Sequence, residues 1–295
     1  MKNIIVVTGG AGFVGTNLIQ YLTEHTKYKI ISIDNYSSGS KKNHLKSKNI
    51  SYINGDTNNI DNILKKKSKK ILTIFHFGEF SRIHQSFAHS IKCFNSNISG
   101  TSKVINYCLT HNIKIIYSAT SASLGNLGND QNLSPYAFTK SKNLKLLIHL
   151  RKWFKLPYEI LYFYNVYGAR QIKDGPMSTV IGVFEKQYLD KKPLTVVKPG
   201  TQSRIFTHID DTVKGCIYAW KENKNRHYQL SSNKSYTILQ VAKLFNSKIN
   251  FIKKKLGERY KSSKVKNIGE FKIFPIQCKK KLDIYIKDYI KSLKE

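Results

Sequence analysis

Short apolar runs alternate with longer amphipathic segments through the first half of the chain. The runs predict buried β-strands over Ile4–Thr8, Lys29–Ile33, Ser51–Ile53, Leu72–Phe77 and Lys114–Ser118. The amphipathic segments predict helices over Gly12–Thr23, Asn58–Lys67, Phe94–His111 and Tyr136–Phe154, and Tyr158–Phe163 predicts a sixth strand. Strands that alternate with helices form parallel sheets covered on both faces. The pattern therefore predicts an α/β fold with a doubly wound, Rossmann-type sheet.

The pattern changes after Tyr164, where glycines and prolines separate shorter elements. We predict that residues 1–165 form the main domain and that 203–222, with a helix over Asp210–Trp220, returns to it. Residues 166–202 and 223–295 are expected to form a smaller C-terminal substrate-binding lobe. This lobe would include a last, Lys-rich helix with an apolar stripe at Leu282, Ile286, Ile290 and Leu293.

Composition narrows the class of protein. No apolar run among the 295 residues is long enough to cross a bilayer, so a cytoplasmic protein without a membrane partner is expected. The net charge of +32 comes from lysines spread along the chain without interleaved aromatics, which favours a solvated surface over a nucleic-acid-binding face. Four widely spaced cysteines predict buried free thiols and no metal site. A positive field would still speed the approach of an anionic substrate.

The first strand runs directly into a glycine-rich loop, Thr8-Gly9-Gly10-Ala11-Gly12-Phe13-Val14-Gly15. Gly9, Gly12 and Gly15 permit a tight turn and the close approach of backbone to a pyrophosphate, and the following helix N-terminus favours negative charge. Asp34 ends the second strand, 19 residues beyond Gly15, where a carboxylate accepts hydrogen bonds from a ribose and repels a 2′-phosphate. The loop and the acid together predict NAD as the cofactor. Asp56 and Thr57, after the third strand, are expected near the adenine.

Tyr136 and Lys140 stand at i and i+4 of the predicted helix that Ser134-Pro135 begins. A lysine ammonium one turn from a tyrosine favours the phenolate, so the pair predicts a general base. Strand five ends in hydroxyl-bearing residues, with Ser118 expected beside the cofactor and Thr120 beside the substrate oxygen that Tyr136 would deprotonate.

With these motifs in order, the chain resembles an extended short-chain dehydrogenase/reductase, specifically the nucleotide-sugar epimerase/dehydratase family that includes UDP-glucose and UDP-N-acetylglucosamine 4-epimerases. The resemblance covers about residues 3–220. It is carried by Thr8–Gly15, Asp34-Asn35, Gly55-Asp56, His76-Phe77, Ser118–Gly125, Tyr136–Lys140, Tyr164–Gly168 and Arg204–Asp211.

The resemblance implies further contacts. Backbone amides of Phe13 and Val14 would bind the pyrophosphate, and Asn35, Ser37 and Ser38 would flank the adenosine ribose. Lys140 would reach the nicotinamide ribose. The residues expected to line or hold the rest of the cofactor are Phe77, Gly78 and Asn97. The residues expected to bind the nucleotide part of the substrate are Asn165, Thr195 and Arg204.

The family's shared first step is oxidation of the sugar at C4, after which members diverge. Dehydratases and decarboxylases carry a carboxylate just after the catalytic Thr or Ser, whereas this chain has Ser121 and Ala122 there. We therefore expect C4 epimerisation of a UDP-hexose or UDP-N-acetylhexosamine, as in the synthesis of surface polysaccharides. Ser262 stands near the position where some 4-epimerases use a large tyrosine that excludes N-acetyl sugars, so its small side chain predicts room for an acetamido group.

Three alternatives stay open. One is a nucleotide-sugar reductase or dehydratase of the same family, and another is a catalytically silent NAD-sensing protein on the same fold. A nucleic-acid-binding protein is the third.

The resemblance also implies a homodimer that forms through the helices around Phe94–His111 and Tyr136–Phe154. Glu79 is unusual, because relatives more often carry a small residue there.

Overall fold

The computed structural model describes residues 2–124, 130–253, 257, 260–262 and 264–293, so Gly125, the end of one resembling stretch, lies outside it. Its strands are β1 (Ile4–Thr8), β2 (Lys29–Asp34), β3 (Ile50–Asn54), β4 (Ile71–His76), β5 (Lys114–Thr120), β6 (Tyr158–Phe163), β7 (Val166–Tyr167), β8 (Leu194–Val197), β9 (Ser203–Ile205), β10 (Thr207–His208), β11 (His227–Ser231), β12 (Ser235–Thr237), β13 (Ile249–Ile252), β14 (Asn267–Ile268) and β15 (Phe271–Gln277).

The helices are α1 (Phe13–His25), α2 (Ile60–Leu64), α3 (Ile83–Ala88), α4 (Ser90–Phe94), α5 (Thr101–Thr110), α6 (Pro135–Phe154), α7 (Val180–Leu189), α8 (Ile209–Glu222), α9 (Ile238–Leu244) and α10 (Leu282–Ser292). A π-helical segment, Asn95–Gly100, joins α4 to α5. None of the helices that the structure describes combines the length and the apolar character needed to span a bilayer.

The central sheet has nine strands in the order β14-β15-β11-β6-β5-β4-β1-β2-β3. Every neighbouring pair from β3 to β15 is parallel, and only β14 runs antiparallel, against β15. The order 3-2-1-4-5-6 reverses between β1 and β4, and ligands of open parallel sheets bind at such a switch point. The predicted Rossmann-type sheet is confirmed.

Alternate side chains of the buried strands face opposite layers of helices. Val6 of β1 belongs to a core shared with Leu64 of α2 and Val104 of α5. Its neighbour Val7 belongs to the other core, which includes Leu18 of α1 and Val213 of α8. Because both faces of β1 are covered, its sequence is apolar at consecutive positions instead of alternating.

A third core lies beside the sheet's carboxyl edge and forms the smaller lobe. It packs Phe184 of α7 and Val196 of β8 against Val241 of α9 and Ile286 of α10. The predicted stripe on the last helix is partly buried there, since Leu282 and Ile286 are buried whereas Leu293 is exposed. The four cysteines are free and buried, as the sequence predicts.

The structure differs from the predicted division in its C-terminal part. Residues 223–295 were expected in the lobe, yet β11 pairs in parallel with β6 and β15 pairs in parallel with β11. The reason is that α8 packs on the sheet and acts as a crossover helix, which returns the chain to the edge beyond β6. The strand Phe271–Gln277 was not predicted, because its polar residues and Pro275 hide the apolar alternation.

Candidate functional site

The glycine loop between β1 and α1 has the backbone geometry of an anion cradle. Gly9 has a φ of +69°, and a Cβ there would lie 2.8 Å from the backbone of Phe77 and Gly78. A Cβ on Gly15 would clash with the Gly9 carbonyl oxygen. The N-cap of α1 is Gly12, which has no side chain to cap the helix, so the first-turn amides point into the loop. These residues fit the pyrophosphate of a dinucleotide.

Asp34 ends β2 directly beside this loop. Its Oδ2 accepts from the Ala11 amide at 2.9 Å and its Oδ1 from the Tyr36 amide at 2.8 Å. Burial raises the pKa of Asp34, and the hydrogen bonds from Tyr36 and Ala11 act in the opposite direction. The side chain is thus fixed at the carboxyl edge of the sheet, and each oxygen retains a lone pair for a ribose hydroxyl.

One cavity of about 610 Å³ runs from this loop across the switch point to the smaller lobe. It brings together all but three of the residues that the sequence predicts for the site. The predicted residues that line it are Gly9, Gly12, Phe13, Val14, Gly15, Asp34, Asn35, Ser37, Ser38, Thr57, Phe77, Gly78, Ser118, Thr120, Tyr136, Lys140, Asn165, Thr195 and Arg204. The volume lies within the range of small-molecule and cofactor sites.

Three predicted residues, Asp56, Asn97 and Ser262, do not line this cavity. Asp56 lines the adjoining cavity together with Asn35, Ser37 and Ser38, so its contact with the adenine stays a prediction. Asp56 accepts from the Asn58 amide at 2.9 Å and from Asn35 Nδ2 at 2.7 Å, so it closes its own turn. Asn97 is fully buried and ties Phe80 to Thr139 of α6. Ser262 is buried against β9, where its amide donates to the Ser203 carbonyl at 3.1 Å. The predicted ligand contacts of Asn97 and Ser262 also stay predictions.

Tyr136 and Lys140 project from the first turns of α6. Ser134 caps this helix by accepting from the Ala137 amide at 3.1 Å, and Pro135 follows it. Tyr136 is 8% exposed and Lys140 4%. The Lys140 ammonium donates to the Ser118 carbonyl at 2.5 Å, which ties α6 to the end of β5.

Thr120, the last residue of β5, also faces the cavity. Its Oγ1 accepts from the Ala122 amide at 3.2 Å, which leaves the hydroxyl proton to donate to a ligand. Ser121 and Ala122 line the cavity next to it, and neither side chain has a carboxylate. This end of the cavity therefore holds a tyrosine, a lysine and a threonine hydroxyl around one space.

Glu79 is the main residue of the site whose role the sequence did not indicate. It forms an ion pair with Lys140, and the two side chains are 2% and 4% exposed. Its Oε1 accepts from Thr101 Oγ1 at 3.0 Å, Tyr117 Oη at 3.1 Å and Asn143 Nδ2 at 3.1 Å. The sequence indicates only that Glu79 is an unusual acidic residue in the turn after β4.

Arg82, in the same turn, lines the cavity near Tyr136. Its Nε donates to the Met177 carbonyl at 2.9 Å and its Nη1 to the Ser81 carbonyl at 3.0 Å. Burial lowers the pKa of Arg82, and its attraction to Tyr136 acts in the opposite direction. No carboxylate within the described ranges forms an ion pair with this guanidinium.

The substrate end lies between the sheet and the lobe. Asn165 has a φ of +20° and its Nδ2 donates to the Ile205 carbonyl at 2.9 Å, which holds it beside β9. Arg204 of β9 donates from Nη1 to the Ser203 carbonyl at 2.9 Å. Thr195 of β8 accepts from Gln187 Nε2 at 2.9 Å.

In the part of the chain that the structure describes, no cluster of three or more His, Cys, Asp or Glu could hold a metal ion.

A parallel sheet with this strand order, a glycine cradle after β1 and an acid at the end of β2 define a dinucleotide-binding protein. The model of the NAD dependent epimerase/dehydratase family matches residues 5–231. The chain therefore belongs to the NAD-dependent epimerase/dehydratase family, and its cofactor is NAD.

Several relatives show how widely the match extends. An uncharacterized UDP-glucose epimerase of Bacillus subtilis is 31% identical over 72% of this chain and 70% of its own length. The UDP-N-acetylglucosamine 4-epimerase of Methanobrevibacter ruminantium is 25% identical, with a TM-score of 0.83 over 100% of this chain and 98% of that one. The UDP-glucuronic acid 4-epimerase of Bacillus cereus, solved with UDP-glucuronic acid and NAD, is 26% identical, with a TM-score of 0.82 over 98% and 99%. Dehydratases and decarboxylases of nucleotide sugars are also among the relatives.

Proposed function

We propose that this protein is an NAD-dependent 4-epimerase of a nucleotide sugar, with a UDP-linked hexose or N-acetylhexosamine as substrate. The observation that carries the proposal is the arrangement of Thr120, Tyr136 and Lys140 around one end of the cavity, next to Ser121 and Ala122. This set can oxidise a sugar hydroxyl reversibly, and it lacks the carboxylate that would drive elimination.

The chain's residues act first as a general base. Tyr136, as phenolate, removes the proton from the sugar's 4-hydroxyl while the Thr120 hydroxyl donates a hydrogen bond to the same oxygen. The Lys140 ammonium, one helical turn away, stabilises the phenolate. NAD, when bound, would supply the hydride acceptor for C4. The result is a transient 4-keto sugar.

Epimerisation needs the keto sugar to present its other face before reduction. We expect the sugar to rotate within the cavity while the nucleotide part of the substrate stays anchored. Asn165 and Arg204 suit the diphosphate, since guanidinium is a planar and permanently charged phosphate donor, and Thr195 would lie near the base. Tyr136 then returns its proton to the 4-oxygen, so the enzyme ends in its starting state.

Dehydration and decarboxylation fit the site less well. Both reactions need an acid or base that transfers a proton after C4 oxidation. The residues next to Thr120 in the cavity are Ser121 and Ala122, and neither side chain is a suitable acid or base. A reductase would require the cofactor to exchange in every turnover. A silent NAD sensor would not need the catalytic set of Thr120, Tyr136 and Lys140.

The homodimer stays a prediction, and exposed Ile91 and Trp153 on α4 and α6 are compatible with it.

The first test is a substrate panel without added cofactor. We expect the purified protein to interconvert the 4-epimers of at least one UDP-sugar, with net release of neither NADH nor water, because hydride is removed and returned at one carbon. NMR of the products and their mass measure this, with UDP-, dTDP- and GDP-sugars compared side by side. A mass loss of 18 Da would indicate a dehydratase, and a requirement for added NADH would indicate a reductase.

A second candidate is a 4-epimerase of an acidic nucleotide sugar. Arg82 favours it, because its guanidinium lines the cavity, interacts electrostatically with Tyr136 and donates from Nε and Nη1 to backbone carbonyls. In a hexuronic acid the carboxylate is attached to C5, next to the carbon that Tyr136 would serve. A desolvated guanidinium suits that group.

Replacing Arg82 with methionine separates the two candidates. If the substrate is a uronic acid, we expect kcat/KM for UDP-glucuronic acid to fall at least about tenfold, the loss of one charge-assisted hydrogen-bonding partner. Turnover of UDP-glucose, measured in the same assay, should change much less. Arg82→Lys is the matched control that keeps the charge. Equal losses for both sugars would contradict a carboxylate-binding role.

A further inference from the structure

We propose that Glu79 is a positioning residue that holds Lys140 and offsets its charge, and so sets the pH range in which Tyr136 acts as a base. The inference rests on the proposed role of Tyr136. It gives a function to a buried carboxylate that neither the glycine loop nor the catalytic set explains.

The environment of Glu79 is built for a carboxylate. Lys140, Thr101, Tyr117 and Asn143 all donate to it, and they come from α6, α5 and β5. A neutral carboxylic acid would turn one of its acceptor sites into a donor and lose at least one of these bonds. A side chain that is 2% exposed is stable as an anion only when it is paired and hydrogen-bonded in this way.

A chain of hydrogen bonds leads from Thr8 through His76 and Thr101 to Glu79, and each group donates to the next. Thr8 Oγ1 accepts from the amides of Phe77 and Gly78 at 3.2 and 3.0 Å, so its proton is directed to His76 Nδ1 at 2.7 Å. Nε2 of neutral His76 then donates to Thr101 Oγ1 at 2.9 Å, and Thr101 donates to Glu79. Burial lowers the pKa of His76 to about 4, which agrees with a neutral ring. The turn that carries Glu79 is thereby fixed to β1 and β4.

Lys140 is held in the same frame. Of its three ammonium donors, one is directed to Glu79 and one to the Ser118 carbonyl. The third remains for the nicotinamide ribose that the family resemblance assigns to Lys140. The ring of Tyr117 lies 4.8 Å from Nζ and closes one side. The ammonium therefore cannot change position without breaking a buried ion pair.

The charges around Tyr136 follow from these contacts. Lys140 and Glu79 form a pair with no net charge, His76 and Cys93 behind it are neutral, and burial together with Glu79 raises the pKa of Tyr117 well above its ordinary value. Arg82 is a second cation that interacts electrostatically with Tyr136. Removing the negative charge of Glu79 leaves Lys140 uncompensated, which favours the phenolate.

The test is Glu79→Gln, with titration of tyrosine in the NAD-bound protein carrying ζ-¹³C-tyrosine. The resonance that disappears in Tyr136→Phe identifies Tyr136. We expect its titration midpoint to move down by about one pH unit in Glu79→Gln, the effect of one unit charge several ångströms away in a partly screened interior. The acid limb of kcat/KM should move in the same direction by the same amount. Glu79→Asp keeps the charge and should leave the midpoint in place.

The NMR titration needs no substrate, so it separates this inference from the proposed function. Failure of every sugar in the panel would refute the epimerase while the midpoint shift could still be observed. An unchanged midpoint in Glu79→Gln would overturn the inference, even if activity fell. If Glu79→Gln does not fold, Glu79→Met provides a second neutral side chain for which the same downward shift is expected.

Discussion

Replacing Tyr136 with phenylalanine is expected to lower kcat for epimerisation by about three orders of magnitude, within the range that a positioned general base contributes. The change removes one hydroxyl from a side chain that lines the cavity at the end of β5. Neither of the other two members of the catalytic set can take the proton of the sugar's 4-hydroxyl, because Thr120 is a hydrogen-bond donor and Lys140 is held as an ammonium by Glu79. Cofactor affinity should change by less than about threefold, since the glycine loop and Asp34 lie elsewhere in the cavity.

The measurement pairs an NMR assay of epimer formation with calorimetry of NAD binding. Tyr107→Phe is the matched control, because it removes a hydroxyl from another buried tyrosine, whose Oη donates to the Leu64 carbonyl at 3.2 Å behind the sheet. That variant should keep its turnover. Retention of a tenth or more of wild-type activity by Tyr136→Phe would refute the assigned base.

The part of the site that follows the sheet was predictable from the sequence, because a parallel strand fixes where its carboxyl end lies. Gly9, Asp34 and Thr120 each end or follow a buried apolar run, so their meeting at one edge follows from the order of elements. Tyr136 and Lys140 needed only the helical repeat in addition. These positions depend on local pattern and on one topological rule.

What the sequence did not predict depends on which way a side chain points. Asn97 and Asp56 have the right location, but Asn97 turns inward to hold Phe80 and Asp56 turns to cap its own loop. Ser262 depends on a part of the lobe with little apolar periodicity, and it packs behind β9. A partner 42 residues away helps to decide the orientation of Asn97, whereas Asp56 is held by one partner two residues away and another 21 residues away.

The partners of Glu79 also could not be predicted from the sequence. An acidic residue between Gly78 and Phe80 gives no periodic signal, and its partners lie up to 64 residues away along the chain. Only the packing of α5 and α6 against β4 and β5 brings Thr101, Asn143 and Lys140 to one carboxylate. Whether a buried charge is paired is a tertiary property, and the site's charge balance follows from it.

Replacing Lys140 with methionine is expected to lower the free energy of unfolding by about 3 kcal/mol, because it leaves the Glu79 carboxylate buried without its cation. The remaining donors, Thr101, Tyr117 and Asn143, keep the loss near the lower end of the range for broken buried pairs. Epimerisation should also disappear, because the phenolate of Tyr136 loses the ammonium one helical turn away. Urea denaturation of the cofactor-free protein measures the stability, and the NMR assay measures the turnover.

Two further variants separate the stability effect from the catalytic one. In Lys140→Met combined with Glu79→Gln no uncompensated charge stays buried, so we expect most of the stability to return while turnover remains absent. Lys114→Met is the control, because Lys114, the first residue of β5, forms a second buried ion pair with Glu159 at 2.6 Å, at the opposite end of the strand from Thr120. Breaking that pair should destabilise the protein similarly and leave kcat unchanged. If the double variant were as unstable as Lys140→Met alone, the charge of Glu79 would not be the cause, and the ion pair would lose its central place in the site.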